Sequence, residues 1–253
     1  MTNDPSAQLP PVWRTRLEEL RQTDPRLHGR LVRVLMEHLH RKKIVSIEDL
    51  EREARLISDE DPNAAADPNR PSPRGGPREM ETLHRLVLDW AQRTLSPGEV
   101  EAVLHTAHRN ELVIELGNAA DNPAIPFEAV LNRLSLVRSF LPAEGEPETP
   151  DLLGARVALI RRLVSEHLEY LNVAKRYLTV GALAEVARRM VLPGAGNGRI
   201  GGKGAGMILA WHILADAHRR GKLAQLPKMP KTWYVRSDGI IHLIEHNTLQ
   251  EYT

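Results

Sequence analysis

The chain has 253 residues, 34 basic and 33 acidic side chains, a net charge of +1 and no cysteine; 42% of it is hydrophobic, 26% charged and 4% aromatic. That length buries a sizeable core in one or two domains. Near-neutral charge gives no pull toward nucleic acid or an anionic surface, few aromatics leave no stacking platform for single strands, and the missing cysteine removes disulfides, thiol nucleophiles and cysteine zinc sites.

At the N-terminus, "MTNDPSAQLPPVWR" has neither the basic flank nor the apolar run of a secretory signal. No apolar run approaches the roughly 20 residues of a membrane helix. A cytoplasmic protein that binds neither nucleic acid nor membrane is the expectation. The first periodic segment places Trp13, Leu17 and Leu20, then Leu31, Leu35 and Leu39, at helical spacing. Asp24-Pro25 divides it into two helices, because proline removes a donor and restricts the residue before it. In "VSIEDLEREARLI" Ser46 is the N-cap, and Glu48 and Asp49 suit the positive end of the helix dipole. Residues 58–77, with five prolines among Asp, Asn and Gly, read as a solvated linker.

A second helical block follows. "METLHRLVLDWAQRTL" carries Leu83, Leu86, Val87 and Trp90 on one face. Ser96, Pro97 and Glu99 form a capping-box pattern at the next helix start, and Gly117-Asn118 reads as its C-cap. "PFEAVLNRLSLVRSFL" is amphipathic, and "PAEGEPETP" is a short acidic connector. The run from Asp151 to Leu178 is the longest helix candidate, and Thr179 caps one more. No internal repeat emerges. The chain therefore divides into an N-terminal helical segment (1–57), a linker (58–77), a helical domain (78–192) and a segment of different character (193–253).

That last segment opens with "LPGAGNGRIGGKGAGMILAWHIL", where seven glycines precede an apolar helix on which Met207, Trp211, Leu214 and His218 share a face. "KTWYVRS" is the best strand candidate, a lone strand whose edges need partners, and Ser237 or Asp238 caps a final helix. The Walker A pattern fails, since Asn197 and Gly204 stand where glycine and hydroxyl are required. G-x-G-x-x-G matches at Gly196, Gly198 and Gly201, but no strand feeds the turn and Asp216 lies inside the next helix. A simpler reading joins close backbone approach at glycine, a helix N-terminus and the charge of Lys203 into an anion contact. The bland alternative is a flexible linker.

"GRIGGKGAGM", then "ILAWHIL" and "MPKTWYVRSDGIIHLIEHN", resembles the start of the nucleotide-binding domain of the phosphoenolpyruvate synthase and pyruvate phosphate dikinase family. "LNVAKRYLTVGALAEVARRMVLPGAGNG" resembles the run-in of members with a helical N-terminal region, so the likeness extends from Leu171 onward. It implies a mainly α chain, a helical bundle or array followed by the incomplete beginning of an α/β ATP-grasp-type domain. It implies ATP with magnesium as cofactors and Lys203, with Gly201, Gly202 and Gly204, as the phosphate contact. The family's phosphate-contacting arginine lies in a later V-R-S-S-like segment, so Arg236 does not inherit that role. The family's magnesium ligands lie further downstream. Its phosphate-carrying histidine follows Ser or Thr, as none of the eleven histidines here does, and its substrate barrel has no counterpart. The implied partners are a nucleotide and the remainder of a longer polypeptide or a partner chain. The alternative is a noncatalytic helical interaction module whose last strand joins a partner's sheet.

Other chemistry reads as surface. His105 and His108 share a helix face without a third ligand. Arg41, Lys42 and Lys43 suit a helix C-terminus. Arg188 and Arg189 lie near the glycine stretch, and Asp216 and Asp238 are better read as helix-surface and capping acids.

Overall fold

The protein was analysed as a computed structural model that describes residues 10–59, 76–142, 145–191 and 198–247. These residues form eleven helices and a two-stranded sheet, so the chain is mainly α, as the periodicity predicts. It comprises two compact units, Met1–His108 and Arg109–Thr253. The boundary falls inside α5 (Pro97–Asp121) rather than at the segment ends drawn from composition.

The first unit holds α1 (Val12–Thr23), α2 (Pro25–Arg41), α3 (Ile47–Asp59), α4 (Pro77–Thr94) and the start of α5. Asp24 separates α1 from α2 as expected; its carboxylate accepts the Leu27 N–H at 2.9 Å. Ser46 accepts the Asp49 N–H at 3.1 Å, and Ser96 the Glu99 N–H at 3.3 Å, so both predicted caps form. Most of the proline-rich stretch lies outside the described residues. The helices on either side of it, α3 and α4, pack on each other, which is why composition alone misplaces the boundary.

Beneath α2 and α4, His28 and His84 meet edge to face with ring centroids 5.1 Å apart. Burial holds both imidazoles below their ordinary value. Glu18 opposes the shift at His28 and Arg21 adds to it; at His84 the effect is reinforced by His28, then Arg21 and Arg33. The unfolded chain therefore takes up protons first as pH falls through about 6.5. The first unit is expected to be fully stable above that pH and to lose melting temperature steadily between pH 6.5 and the lower folded-state values. His28→Phe should flatten this dependence in a pH series of thermal melts.

The second unit contains the rest of α5, then α6 (Phe127–Phe140), α7 (Pro150–Leu163), α8 (Leu168–Tyr177), α9 (Val180–Arg188), β1 (Met190–Val191), α10 (Gly202–Arg219), β2 (Tyr234–Val235) and α11 (Gly239–His246). Gly117 does not end α5. A β-carbon there would sit 3.4 Å from the Ala155 Cα, so the glycine permits close approach of α5 and α7. The long helix expected from Asp151 to Leu178 is two. Its break at 164–167 is stabilised from a distance: the Leu163 carbonyl accepts the Ile200 N–H at 3.0 Å, and the Arg161 carbonyl accepts Arg199 Nε at 2.6 Å. Carbonyls that continuing helix would use are taken by the chain after the glycine stretch.

The strand in "KTWYVRS" is short, and its partner is a segment read as helix from the sequence. β2 pairs in parallel with β1, Met190 opposite Tyr234 and Val191 opposite Val235. An antiparallel bridge joins Ile200 to Arg236. The acidic connector also does more than turn. Glu146 accepts the N–H groups of Val180 (3.1 Å) and Gly181 (2.8 Å) at the start of α9 and lies 3.3 Å from Arg156 Nη2. Thr179 completes that helix start by accepting the Ala182 N–H at 3.0 Å. Thr179→Ala is expected to lower the unfolding free energy of this unit by about 1 kcal/mol, measurable by urea titration.

Candidate functional site

Residues 192–197 lie outside the described residues, so Gly196, the first glycine of the G-x-G-x-x-G match, has no structural account. The stretch is described from Gly198 to the start of α10, and its glycines fall into two kinds. Gly198 and Gly204 are required by packing. A β-carbon on Gly198 would collide with the Asp238 carboxylate, and one on Gly204 would lie 2.6 Å from Ile200 Cγ2 and 3.4 Å from Tyr234. Gly201 and Gly202 would meet nothing within 4 Å, and both are exposed. Gly201 has φ −63°, a backbone any residue adopts. Neither packing nor conformation demands glycine at 201, and packing does not at 202.

Gly201 is the N-cap of α10, and no side chain caps that end. The Ala205 N–H reaches the Gly201 carbonyl at 3.0 Å. The N–H groups of Gly202, Lys203 and Gly204 have no carbonyl one turn back, as in any helix start. They border an open cleft of about 460 Å³ whose other wall is Thr232, Trp233, Tyr234 and Val235. Lys203 is exposed, and among the described residues no carboxylate pairs with it. Amide dipoles and one ammonium thus stand at a concave surface, an arrangement suited to a phosphate-sized anion.

The cleft floor is fixed by residues outside the glycine motif. Arg236 is 1% exposed. Its Nε donates to the Gly198 carbonyl at 2.9 Å, its Nη2 lies 2.7 Å from Asp238, and its guanidinium carbon sits 4.5 Å over the ring of Phe127. Asp238 in turn accepts the Gly198 N–H at 3.0 Å, and Ser237 accepts the Arg199 N–H at 3.2 Å. Both backbone groups of Gly198 are therefore clamped by one ion pair. The side chains expected to cap α11 instead hold the glycine stretch. Arg236 is a positioning residue for the loop, and its i, i+2 spacing from Asp238 beside a strand was the available signal. On the far side, the Tyr170 hydroxyl donates to the Ala205 carbonyl at 2.9 Å; burial, then the Tyr234 charge, pushes its phenol up to about 12.

The remaining candidates separate from the site. Arg188 and Arg189 pair with Glu185 at 2.8 and 2.7 Å, Asp216 pairs with Arg219 and Arg220, and Lys42 lies 2.6 Å from Glu99. Met207 borders the cleft, while the α10 residues buried deepest are Ala205 and Ile208 rather than the Met207–Trp211 face. Among the described residues no three His, Asp or Glu side chains gather as a metal-ligand set, so these residues do not fit a magnesium site. No helix among them is long and apolar enough to cross a membrane. Comparisons with family models, curated proteins and solved structures return no match for this chain.

Proposed function

We propose that this chain contributes the ATP-phosphate contact of a phosphoenolpyruvate synthase/pyruvate phosphate dikinase-like phosphotransferase and is not catalytic alone. The observation that carries the reading is the pair Gly201 and Gly202, whose lack of side chains serves neither packing nor, at Gly201, backbone conformation. It leaves the open end of α10 approachable beside the unpaired ammonium of Lys203. In this reading the amides of Gly202, Lys203 and Gly204 and the Lys203 Nζ hold the phosphates. ATP supplies the phosphoryl group for transfer through a histidine to an acceptor such as pyruvate. Magnesium ligands and acceptor site belong to the remainder of a longer polypeptide or to a partner chain in an ATP-grasp-type arrangement.

A second reading, a noncatalytic helical interaction module, is favoured by the outward apolar face of the small sheet. Val191, Trp233 and Val235 are 47%, 60% and 60% exposed, and a two-stranded sheet offers its edges to a partner strand. Thermal melts in MgATP separate the two. Nucleotide at a hundredfold excess over its Kd stabilises a protein by about 2.7 kcal/mol. A saturable rise in melting temperature that Lys203→Ala abolishes supports the phosphate contact and removes the second reading. An unchanged curve up to millimolar MgATP removes ATP as a ligand of this chain.

A further inference from the structure

We propose that the cavity between α9, α10 and residues 226–229 of the second unit binds a small organic anion with a ring-sized apolar body. Its volume of about 940 Å³ lies within the range of small-molecule sites. It is separate from the candidate phosphate cleft: Tyr234 alone borders both. The inference does not rest on the nucleotide reading.

The charge arrangement selects an anion. Arg138 is fixed in the wall, its Nη1 donating to the carbonyls of Leu141 (3.2 Å) and Pro142 (3.3 Å), its Nε only 3.2 Å from where a β-carbon on Gly181 would stand. No carboxylate pairs with Arg138 or with Lys228 on the rim among the described residues. The carboxylates that border the cavity are taken up elsewhere. Both oxygens of Glu146 serve the start of α9 and Arg156, and Glu185 serves Arg188 and Arg189. Two cations without counter-ions at an apolar wall raise the local positive potential.

The body of the ligand follows from the walls. Ile208 is 1% exposed and forms the base. Trp211 and His212 stand edge to face at 4.9 Å, so flat surfaces are already in place for a ring. Burial, then the charge of Arg219, keeps His212 below its ordinary value. A neutral imidazole there adds a donor or acceptor without cancelling the attraction for an anion.

The test uses the full chain and two fluorescent probes with the same rings, anionic 1-anilinonaphthalene-8-sulfonate and neutral N-phenyl-1-naphthylamine. The sulfonate is expected to bind saturably and at least tenfold tighter than the amine. Lys228→Met and Arg138→Met should each weaken the sulfonate about tenfold and leave the amine unchanged. Ala215→Trp, which fills the cavity, should abolish both. Lys228 is exposed, so its variant keeps the fold and the comparison readable if the filling variant does not fold. Absence of saturable binding, sulfonate affinity indifferent to both cation replacements, or probe binding that survives in a folded Ala215→Trp protein each overturns the proposal.

Discussion

Glu146→Ala is expected to destabilise the second unit by about 3–5 kcal/mol. The side chains of Glu146 and Arg156 are 8% and 10% exposed, so the substitution strands a guanidinium away from water. Two N–H groups at the start of α9 lose their acceptor at the same time. Glu146→Gln keeps an acceptor for those N–H groups and removes only the charge, so its cost should be clearly smaller. Replacing both partners, Glu146→Leu with Arg156→Met, should restore part of the loss, because a buried pair exchanged for apolar groups is often near neutral. Urea unfolding read from Trp211 and Trp233 measures this, in a background where Trp13 and Trp90 of the first unit are phenylalanine. A cost for Glu146→Ala under 1 kcal/mol would mean the pair is not buried as described.

Arg236→Met should cost the same unit about 3–5 kcal/mol. It leaves the Asp238 carboxylate, 15% exposed, without its cation and the Gly198 carbonyl without its donor. The effect should be focused on the loop as well as global. Amide exchange at Gly198, Arg199 and Ile200 should accelerate more than exchange in α6 or α7, whose packing the substitution leaves intact. Arg236→Lys keeps charge without the planar fork that reaches Gly198 and Asp238 together, and should recover less than half of the stability. Uniform exchange across the unit would contradict a clamp on the loop.

Helix positions were legible because their cause is local. The Asp24-Pro25 break and the Ser46, Ser96 and Thr179 caps all depend on residues within a turn of one another, and each forms where the pattern places it. What stayed hidden was set from afar. The Leu and Val pattern continues through 164–167, and only the reach of Arg199 and Ile200 to the end of α7 stops the helix. Gly117 looks like a helix end in sequence, yet its reason is the backbone of Ala155 on another helix. β1 is two residues long, too short for any period to mark. In the candidate site, the lysine and the glycines stand out in the sequence. Which glycines serve packing and which leave the helix start open depends on Asp238, Ile200 and Tyr234, and those neighbours are visible only in three dimensions.

The parallel pairing of Met190 with Tyr234 has a consequence for biosynthesis. Helices of the first unit meet near neighbours along the chain, α1 with α2 and α3 with α4, so that unit has its partners once His108 has emerged from the ribosome. The second unit closes late. The end of α7, β1 and the base of the glycine stretch acquire their partners only when Tyr234, Arg236 and Asp238 have been made. Contacts of such long range form slowly. During that interval Leu163, Met190 and Ile200 lack their final cover, and a ribosome paused before residue 238 holds a chain with one finished half and one adhesive half. It is the second unit that sets the demand for chaperones.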